Sequence, residues 1–160
     1  MLPIFVKDIY LKGPEAMGLL TTLMGLGSVI GSIIIAGIES NKRGLIWIIG
    51  GFLTGGCLLI LSISDSYTIS LIVMIFMGIS DSIRRTLSMS IMMEKTRPDL
   101  RGRVMSIYML NWGLIPLGAL PAGILADIIG AQSTIGILSI LLLVASALVL
   151  ITQKELRTVN

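Results

Sequence analysis

The stretch Ile79–Leu87, ISDSIRRTL, places three charged side chains inside a run that is otherwise apolar. LIVMIFMG precedes it and SMSIMM follows it. A charged side chain at the centre of a bilayer costs at least about 2.5 kcal/mol, even on the mildest scale. The surroundings of Asp81, Arg84 and Arg85 therefore decide how the chain folds and what it can do.

The composition is that of a membrane protein. Of the 160 residues, 54% are hydrophobic and only 13% are charged, about half the charged share of a soluble domain. A soluble fold of this size could not hide so much apolar surface. The net charge of +3 is spread along the chain, which argues against a nucleic-acid partner. With no histidine and one cysteine, Cys57, no metal or cofactor is expected.

Charged residues divide the chain into apolar segments. Uncharged runs of 23, 21, 23 and 26 residues lie at 16–38, 44–64, 104–126 and 128–153. A membrane-spanning helix needs roughly 20 apolar residues, so each run is long enough. With one further segment in the middle, the sequence predicts an all-α integral membrane protein. Its five transmembrane helices are expected at about 16–38, 44–64, 67–93, 104–127 and 131–152.

The third helix has two possible lengths. Only 15 uncharged residues, 66–80, precede Asp81, which is short for a span. Either the helix stops there, with both arginines among the headgroups, or it continues to about Met93 with all three charges inside the bilayer. The continuation TLSMSIMM contains no glycine or proline to stop a helix, which favours the longer form.

Basic residues set the expected orientation. Eight Lys and Arg residues flank the segments on one side and two on the other, with Arg84 and Arg85 left aside. Because basic residues stay cytoplasmic, we place the loops after the first and third helices and the tail 153–160 inside. The N-terminus then lies outside. The opening LPIFV reads like the end of a preceding helix, so we expect 1–15 to be a remnant of that helix plus an external loop. A complete five-helix protein is the alternative.

Small residues recur at the spacing used for helix packing. Gly27 and Gly31 form one pair four residues apart, and Gly51 and Gly55 form another. In lipid such pairs let helix backbones approach closely. We expect them to pack helices within one bundle.

The fourth segment combines prolines, glycines and an amide. Proline removes a helix hydrogen bond and glycine eases bending, so a kinked helix is expected, serving either transport motion or static packing. The kink residues are Gly113, Pro116, Gly118, Pro121 and Gly123. Asn111 lies about two turns inside from Arg103 and should seek a partner helix or a water-filled cavity.

Residues 97–106, RPDLRGRVMS, and 116–130, PLGALPAGILADIIG, resemble the loop and eleventh helix of major facilitator superfamily transporters. Residues 2–32 resemble the same family, most closely its enterobactin-exporter-like branch. The resemblance runs from about Leu2 to Ile151. It implies that the five helices correspond to helices 8–12 of a twelve-helix transporter whose N-terminal half is missing.

The resemblance also marks two cytoplasmic loops. Residues 37–44, GIESNKRG, resemble a degenerate copy of the family's G-x-x-x-D-R-x-G-R motif, with Asn41 near the usual aspartate. The positions of interest are Gly37, Lys42, Arg43 and Gly44 in the first loop, and Arg101, Gly102 and Arg103 in the second. Residues 123–130 resemble the motif too, but no arginine follows. We predict a helix-ending turn there, with Asp127 near the membrane surface.

One face of the third helix carries four polar side chains at helical spacing: Asp81, Arg84, Arg85 and Ser88. We hypothesise that this face lines the central cavity. One arginine would meet an anionic group of the substrate, and Asp81 would hold the arginines or exchange protons. Two alternatives stay open: an ion pair with a carboxylate on a missing helix, and a position at the cytoplasmic end of the membrane.

Secondary active transport by alternating access is the function that this sequence favours. No P-loop motif for ATP occurs. The resemblance implies a proton gradient as the energy source and export of a small organic molecule, such as a siderophore or drug, across the plasma membrane. A non-transporting membrane remnant or adaptor is the alternative. An enzyme is not expected, because the segments hold no nucleophile–base set. The expected partners are the lipid bilayer, the substrate and the missing N-terminal half.

Overall fold

The computed structural model describes residues 5–37 and 43–152. Within these ranges the structure is helical, without a β-strand. A short π-helical turn, Phe5–Ile9, comes first, and a 3₁₀ turn, Pro98–Leu100, joins the third and fourth long helices. The long helices are α1, Pro14–Ala36; α2, Arg43–Ile63; α3, Tyr67–Lys95; α4, Arg101–Ile129; and α5, Ala131–Thr152.

The third helix takes the longer of its two expected forms. α3 has 29 residues and passes through ISDSIRRTL without a break. Its end at Lys95 comes three residues before Pro98, whose ring restricts the residue preceding it. The charged stretch is therefore the middle of a helix and not its terminus.

α1, α2, α3 and α5 are each long and apolar enough to cross a membrane. α4 has 29 residues and contains the apolar stretch Leu117–Ile129. Large apolar side chains are exposed along these helices, as at Ile33 of α1 and Ile151 of α5. Lipid solvates such surfaces, whereas water would not. The all-α membrane architecture expected from the sequence is confirmed.

Close backbone contact joins α1 to α3 within the bundle. α3 packs against α1 and α2, α2 packs against α5, and α4 touches α5. Gly27 and Gly31 of α1 face the backbone of α3 at Ile75 and Ile79, and Gly78 of α3 faces Met24 in return. A methyl group added at Gly31 would lie 2.7 Å from the backbone oxygen of Ile79. No side chain fits between these helices.

The second glycine pair joins α2 to α5. A Cβ at Gly51 would lie 2.7 Å from the Ser146 hydroxyl, and one at Gly55 would lie 2.6 Å from Leu143 Cδ2. Both pairs predicted from their spacing are thus interfaces within one bundle. Gly78 was not predicted as a packing glycine from the sequence, because no second glycine lies four positions away on its own helix.

A substitution at the α1–α3 contact should destabilise the bundle. We expect Gly27→Leu to cost at least about 2 kcal/mol, because the added side chain collides with the backbone of α3. Gly25→Leu is the matched control, since nothing lies within 4 Å of a Cβ at Gly25. Unfolding by SDS, followed by tryptophan fluorescence, measures both. Equal losses for the two variants would contradict the packing described here.

Candidate transport site on α3

Asp81 lies at the midpoint of α3. It is 14 residues after Tyr67 and 14 before Lys95, which is about 21 Å from each end of α3. The hydrocarbon core of a bilayer is about 30 Å thick. By helix length alone, the charged stretch lies far from both ends of the span.

Asp81 and Arg85 form an ion pair within α3. Arg85 Nε lies 2.8 Å from Asp81 Oδ2, and the two residues are one helical turn apart. The Arg85 side chain is 51% exposed and the Asp81 side chain is 37% exposed. The pair cancels two charges while leaving both groups accessible on the open side of the helix.

Arg84 is held by α2 instead. Its guanidinium carbon lies 5.7 Å from the centre of the Trp47 ring, a cation–π contact. Its stem passes over Gly50, where an added Cβ would lie 3.0 Å from Arg84 Cγ. Arg84 Nε is buried and has no hydrogen-bond partner in the described part of the chain. Arg84 is thus withdrawn into the α2–α3 contact.

A row of polar contacts continues this α2–α3 interface. Trp47 Nε1 donates a 2.8 Å hydrogen bond to Ser88 Oγ. Arg43 Nη1 donates to Ser90 Oγ at 3.1 Å and lies 3.3 Å from Glu94 Oε2. These contacts orient the C-terminal half of α3 against α2 and fix the direction in which Arg84 points.

A further interhelical hydrogen bond lies deeper in the same interface. The hydroxyls of Thr54 and Ser80 are 2.9 Å apart, and Ser80 is fully buried. Each hydroxyl also lies within hydrogen-bonding distance of a carbonyl of its own helix, Thr54 of Gly50 and Ser80 of Met77, so the hydroxyl that accepts across the interface donates to its own carbonyl. The two side chains therefore satisfy each other where lipid supplies no partner.

The single polar face expected on α3 divides into two. Successive residues of an α-helix are about 100° apart, so adjacent arginines diverge. Arg84 and Ser88 meet α2, whereas Asp81 and Arg85 lie on the more open side. The sequence did not identify Trp47 as a contact of Arg84 and Ser88. Its spacing of four residues from Arg43 does place both residues on one face of α2.

A recess of about 470 Å³ opens between α3 and α4 beside Arg85. Its lining residues are Arg85, Thr86, Met89, Ser90, Tyr108 and Met109. A smaller groove of about 240 Å³ lies along the α2–α3 contact. Its lining residues are Gly44, Trp47, Ser88, Ile91 and Met92. Tyr108 was missed in the sequence, since a lone tyrosine in an apolar segment carries no spacing signal.

The end of the bundle where α3 begins holds an apolar cavity. The turn Phe5–Ile9 and Tyr10 cover it, and its volume is about 90 Å³. The Tyr10 hydroxyl bonds to Ser70 of α3, and Tyr67 donates to the backbone oxygen of Ala16 at 3.1 Å. This end of α3 is therefore closed by aromatic side chains.

The residues predicted in cytoplasmic loops are partly helical. Gly37 ends α1, and Lys42 lies outside the described residues. Arg43 and Gly44 are the first two residues of α2. Arg101, Gly102 and Arg103 form the first turn of α4, because that helix begins earlier than the expected 104. Arg101 Nε donates to the carbonyl of Thr96 at 3.4 Å, which ties this turn to the end of α3.

α4 runs without interruption through its prolines and glycines. Space is open around Gly113, Gly118 and Gly123. Pro121 also lies inside the helix, and bending at these positions stays a prediction. The side chains of Asn111 and Pro116 lie outside the described residues.

The predicted helix-ending turn lies where α4 meets α5. α4 ends at Ile129, and Gly130 has φ +87°, a conformation that favours glycine. Its N–H bonds to the carbonyl of Ala126 at 3.0 Å.

In the described ranges, no cluster of His, Cys, Asp and Glu could hold a metal ion.

The apolar helices and the charged centre of α3 define a multi-pass helical membrane protein. The chain matches the Major Facilitator Superfamily over residues 1–159 and belongs to that family. It is similar to the Staphyloferrin A transporter of Staphylococcus aureus (strain NCTC 8325 / PS 47), with 26% identity over 142 residues. The match covers 88% of this chain and 35% of that relative, so the chain spans about a third of the relative's length. No solved structure matches.

Substitutions at Trp47 should separate its two contacts. Trp47→Phe loses the hydrogen bond to Ser88, worth about 0.6 kcal/mol on average in a membrane, and keeps a ring against Arg84. Trp47→Leu also loses the cation–π contact, worth about 0.5–2 kcal/mol more. SDS unfolding measures both, and Ser88→Ala should match Trp47→Phe. A Leu variant as stable as the Phe variant would show that the ring does not hold Arg84.

Proposed function

We propose that this chain is the C-terminal part of a secondary active transporter. The protein would export a small organic molecule, such as a siderophore or drug, by proton-coupled alternating access. α1–α5 would correspond to helices 8–12 of a twelve-helix bundle, with a separate N-terminal half as partner. Membership of the Major Facilitator Superfamily supports the class, and the relative named for staphyloferrin A supports a small organic substrate.

The observation that carries the proposal is the charged centre of α3. Ionisable side chains within membrane spans are costly, and they face a bundle interior or a water-filled path. Asp81 and Arg85 lie midway along α3 with side chains 37% and 51% exposed, and Arg85 borders a recess of about 470 Å³. A lipid-facing surface would not carry such a pair, whereas a substrate pathway requires polar groups.

The residues of the pathway have proposed roles. Arg84 or Arg85 meets an anionic group of the substrate, with Ser88 and Asn111 as further polar contacts. Asp81 holds the arginines in place or exchanges protons. The methionines on the same helix supply an adaptable apolar wall.

Alternating access needs parts that bend. In the proposal, α4 bends at its prolines and glycines as the two halves rock around the site. The ion pair of Arg43 and Glu94, at 3.3 Å, joins the ends of α2 and α3 on the side proposed to be cytoplasmic. The protein would lie in the plasma membrane with its C-terminus in the cytoplasm.

A non-transporting membrane remnant or adaptor is the second candidate. It is favoured by the open side of α3, where the Arg85 side chain is 51% exposed beside the α3–α4 recess. An intact mass from native membranes separates the two candidates. A mass near 17.1 kDa favours the remnant, and a mass with about seven more helices favours the transporter.

Transport should depend on a proton gradient and on Arg85. We expect the full-length gene product in proteoliposomes to move a member of a panel of siderophores and fluorescent drugs, and a protonophore to stop the flux. Arg85→Ala should reduce the flux at least about tenfold, since an ion pair or charged hydrogen bond to substrate is lost. Lys95→Ala, at the end of the same helix, is the control. Unchanged flux in a well-expressed Arg85→Ala protein would count heavily against the site.

The proposed orientation can be tested with single cysteines in a Cys57→Ser background. Lys12→Cys should react with a membrane-impermeant maleimide on intact cells, because the residue precedes α1 on the outer side. Arg97→Cys, between α3 and α4, should react only after the cells are permeabilised. The reverse labelling pattern would invert the topology.

A further inference from the structure

The recess between α3 and α4 has the chemistry of a binding site for an organic anion. Arg85 supplies a planar guanidinium, whose geometry suits a carboxylate. Thr86, Ser90 and Tyr108 supply hydroxyl groups that donate hydrogen bonds. Met89 and Met109 supply flexible apolar surface. At about 470 Å³, the recess has the size of a small-molecule site.

The two arginines of α3 differ in what they can do. Arg84 is stacked on Trp47 and its Nε is buried, so binding a ligand would require breaking the α2–α3 contact. Arg85 is 51% exposed and lines the recess. Arg84 is therefore packed between helices, whereas Arg85 faces the recess.

Depth distinguishes a free organic anion from a lipid headgroup. Arg85 is 10 residues before the end of α3, and Tyr108 is seven residues after the start of α4. These separations place the recess about 10–15 Å along the helices from the α3–α4 turn and its basic residues. A lipid phosphate would have to leave the headgroup layer to reach it, whereas a small anion in a water-filled path would not.

Asp81 competes for the same arginine. Its carboxylate lies 2.8 Å from Arg85 Nε and occupies a position that a substrate carboxylate could take. A ligand anion therefore binds against the repulsion of Asp81 and partly replaces it. Removing the charge of Asp81 should strengthen anion binding, while removing that of Arg85 should weaken it.

We propose that the α3–α4 recess binds the carboxylate end of an anionic organic substrate between Arg85 and Tyr108, with Asp81 as the internal competitor. The proposal rests on the transport function proposed above, in that α3 lines the pathway. Tyr108 is the specificity-determining residue contributed by α4.

The test uses 2-naphthoate and its uncharged counterpart 2-naphthamide as probes. Both are dialysed to equilibrium against the full-length gene product in phosphatidylcholine nanodiscs. We expect the anion to bind about tenfold to hundredfold more tightly than the amide, the range for a charge-assisted hydrogen bond. Arg85→Gln should abolish this ratio, Arg85→Lys should retain part of it, and Asp81→Asn should increase it. Tyr108→Phe should weaken naphthoate, and Lys95→Gln is the matched control for charge on α3.

Several results would overturn the assignment. One is equal binding of the two probes, or no binding of either. Another is loss of the ratio in Arg84→Gln with the ratio kept in Arg85→Gln. Loss of naphthoate binding when phosphatidylglycerol replaces phosphatidylcholine would assign the recess to a lipid headgroup. If Arg85→Gln fails to fold, Arg85→Lys and Asp81→Asn test the same pair from both sides.

Flux measured on the same preparation separates this inference from the proposed function. A charge-dependent probe ratio without gradient-driven flux would leave the anion site standing and remove transport. Gradient-driven flux without any probe ratio would leave transport standing and remove the anion site.

Discussion

Burying charge in a helix surrounded by lipid is the constraint on which this structure depends. Asp81, Arg84 and Arg85 lie in the middle of α3, where each unpaired charge is costly. Two different contacts reduce that cost. Arg85 pairs with Asp81 on its own helix, and Arg84 is stacked on Trp47 of α2. Arg85 is exposed and lines the recess, whereas Arg84 is packed between α2 and α3. Only Arg85 could therefore contact a ligand without breaking a helix contact.

The glycine contacts make this arrangement possible. Gly27, Gly31 and Gly78 bring the backbones of α1 and α3 together, and Gly50 lets the stem of Arg84 lie flat on α2. In lipid no hydrophobic effect drives helices together, so close backbone packing and interhelical hydrogen bonds have to do so. Thr54 and Ser80 contribute one such bond. The charged centre therefore has a rigid support on the α1 and α2 sides.

On the α4 side the support is sparse. α4 contacts α5, and the recess separates the N-terminal part of α4 from α3. A helix with several prolines and glycines next to a recess is suited to movement, since few contacts would have to break. The bundle thus has a tightly packed side at α1 and α2 and a loosely packed side at α4, where the proposed bending would break few contacts.

The sequence alone determined the class of protein, the existence of the helices and the family. Apolar runs of 21–26 residues set helices of membrane length, because each backbone must satisfy its own hydrogen bonds in lipid. The absence of glycine and proline after Arg85 indicated that α3 continues, and the paired glycines indicated close packing. All of these signals are local, so they can be read from neighbouring residues.

Only the tertiary structure decided which partner each polar side chain has. Adjacent arginines look equivalent in sequence, yet Arg84 contacts α2 and Arg85 lines the recess, because the helix turns by about 100° between them. Trp47 contacts Arg84, and Tyr108 lines the recess with Arg85, because α2 and α4 lie beside α3 in the folded chain. The rotation and approach of whole helices set such contacts, and residue spacing within one helix carries no information about them.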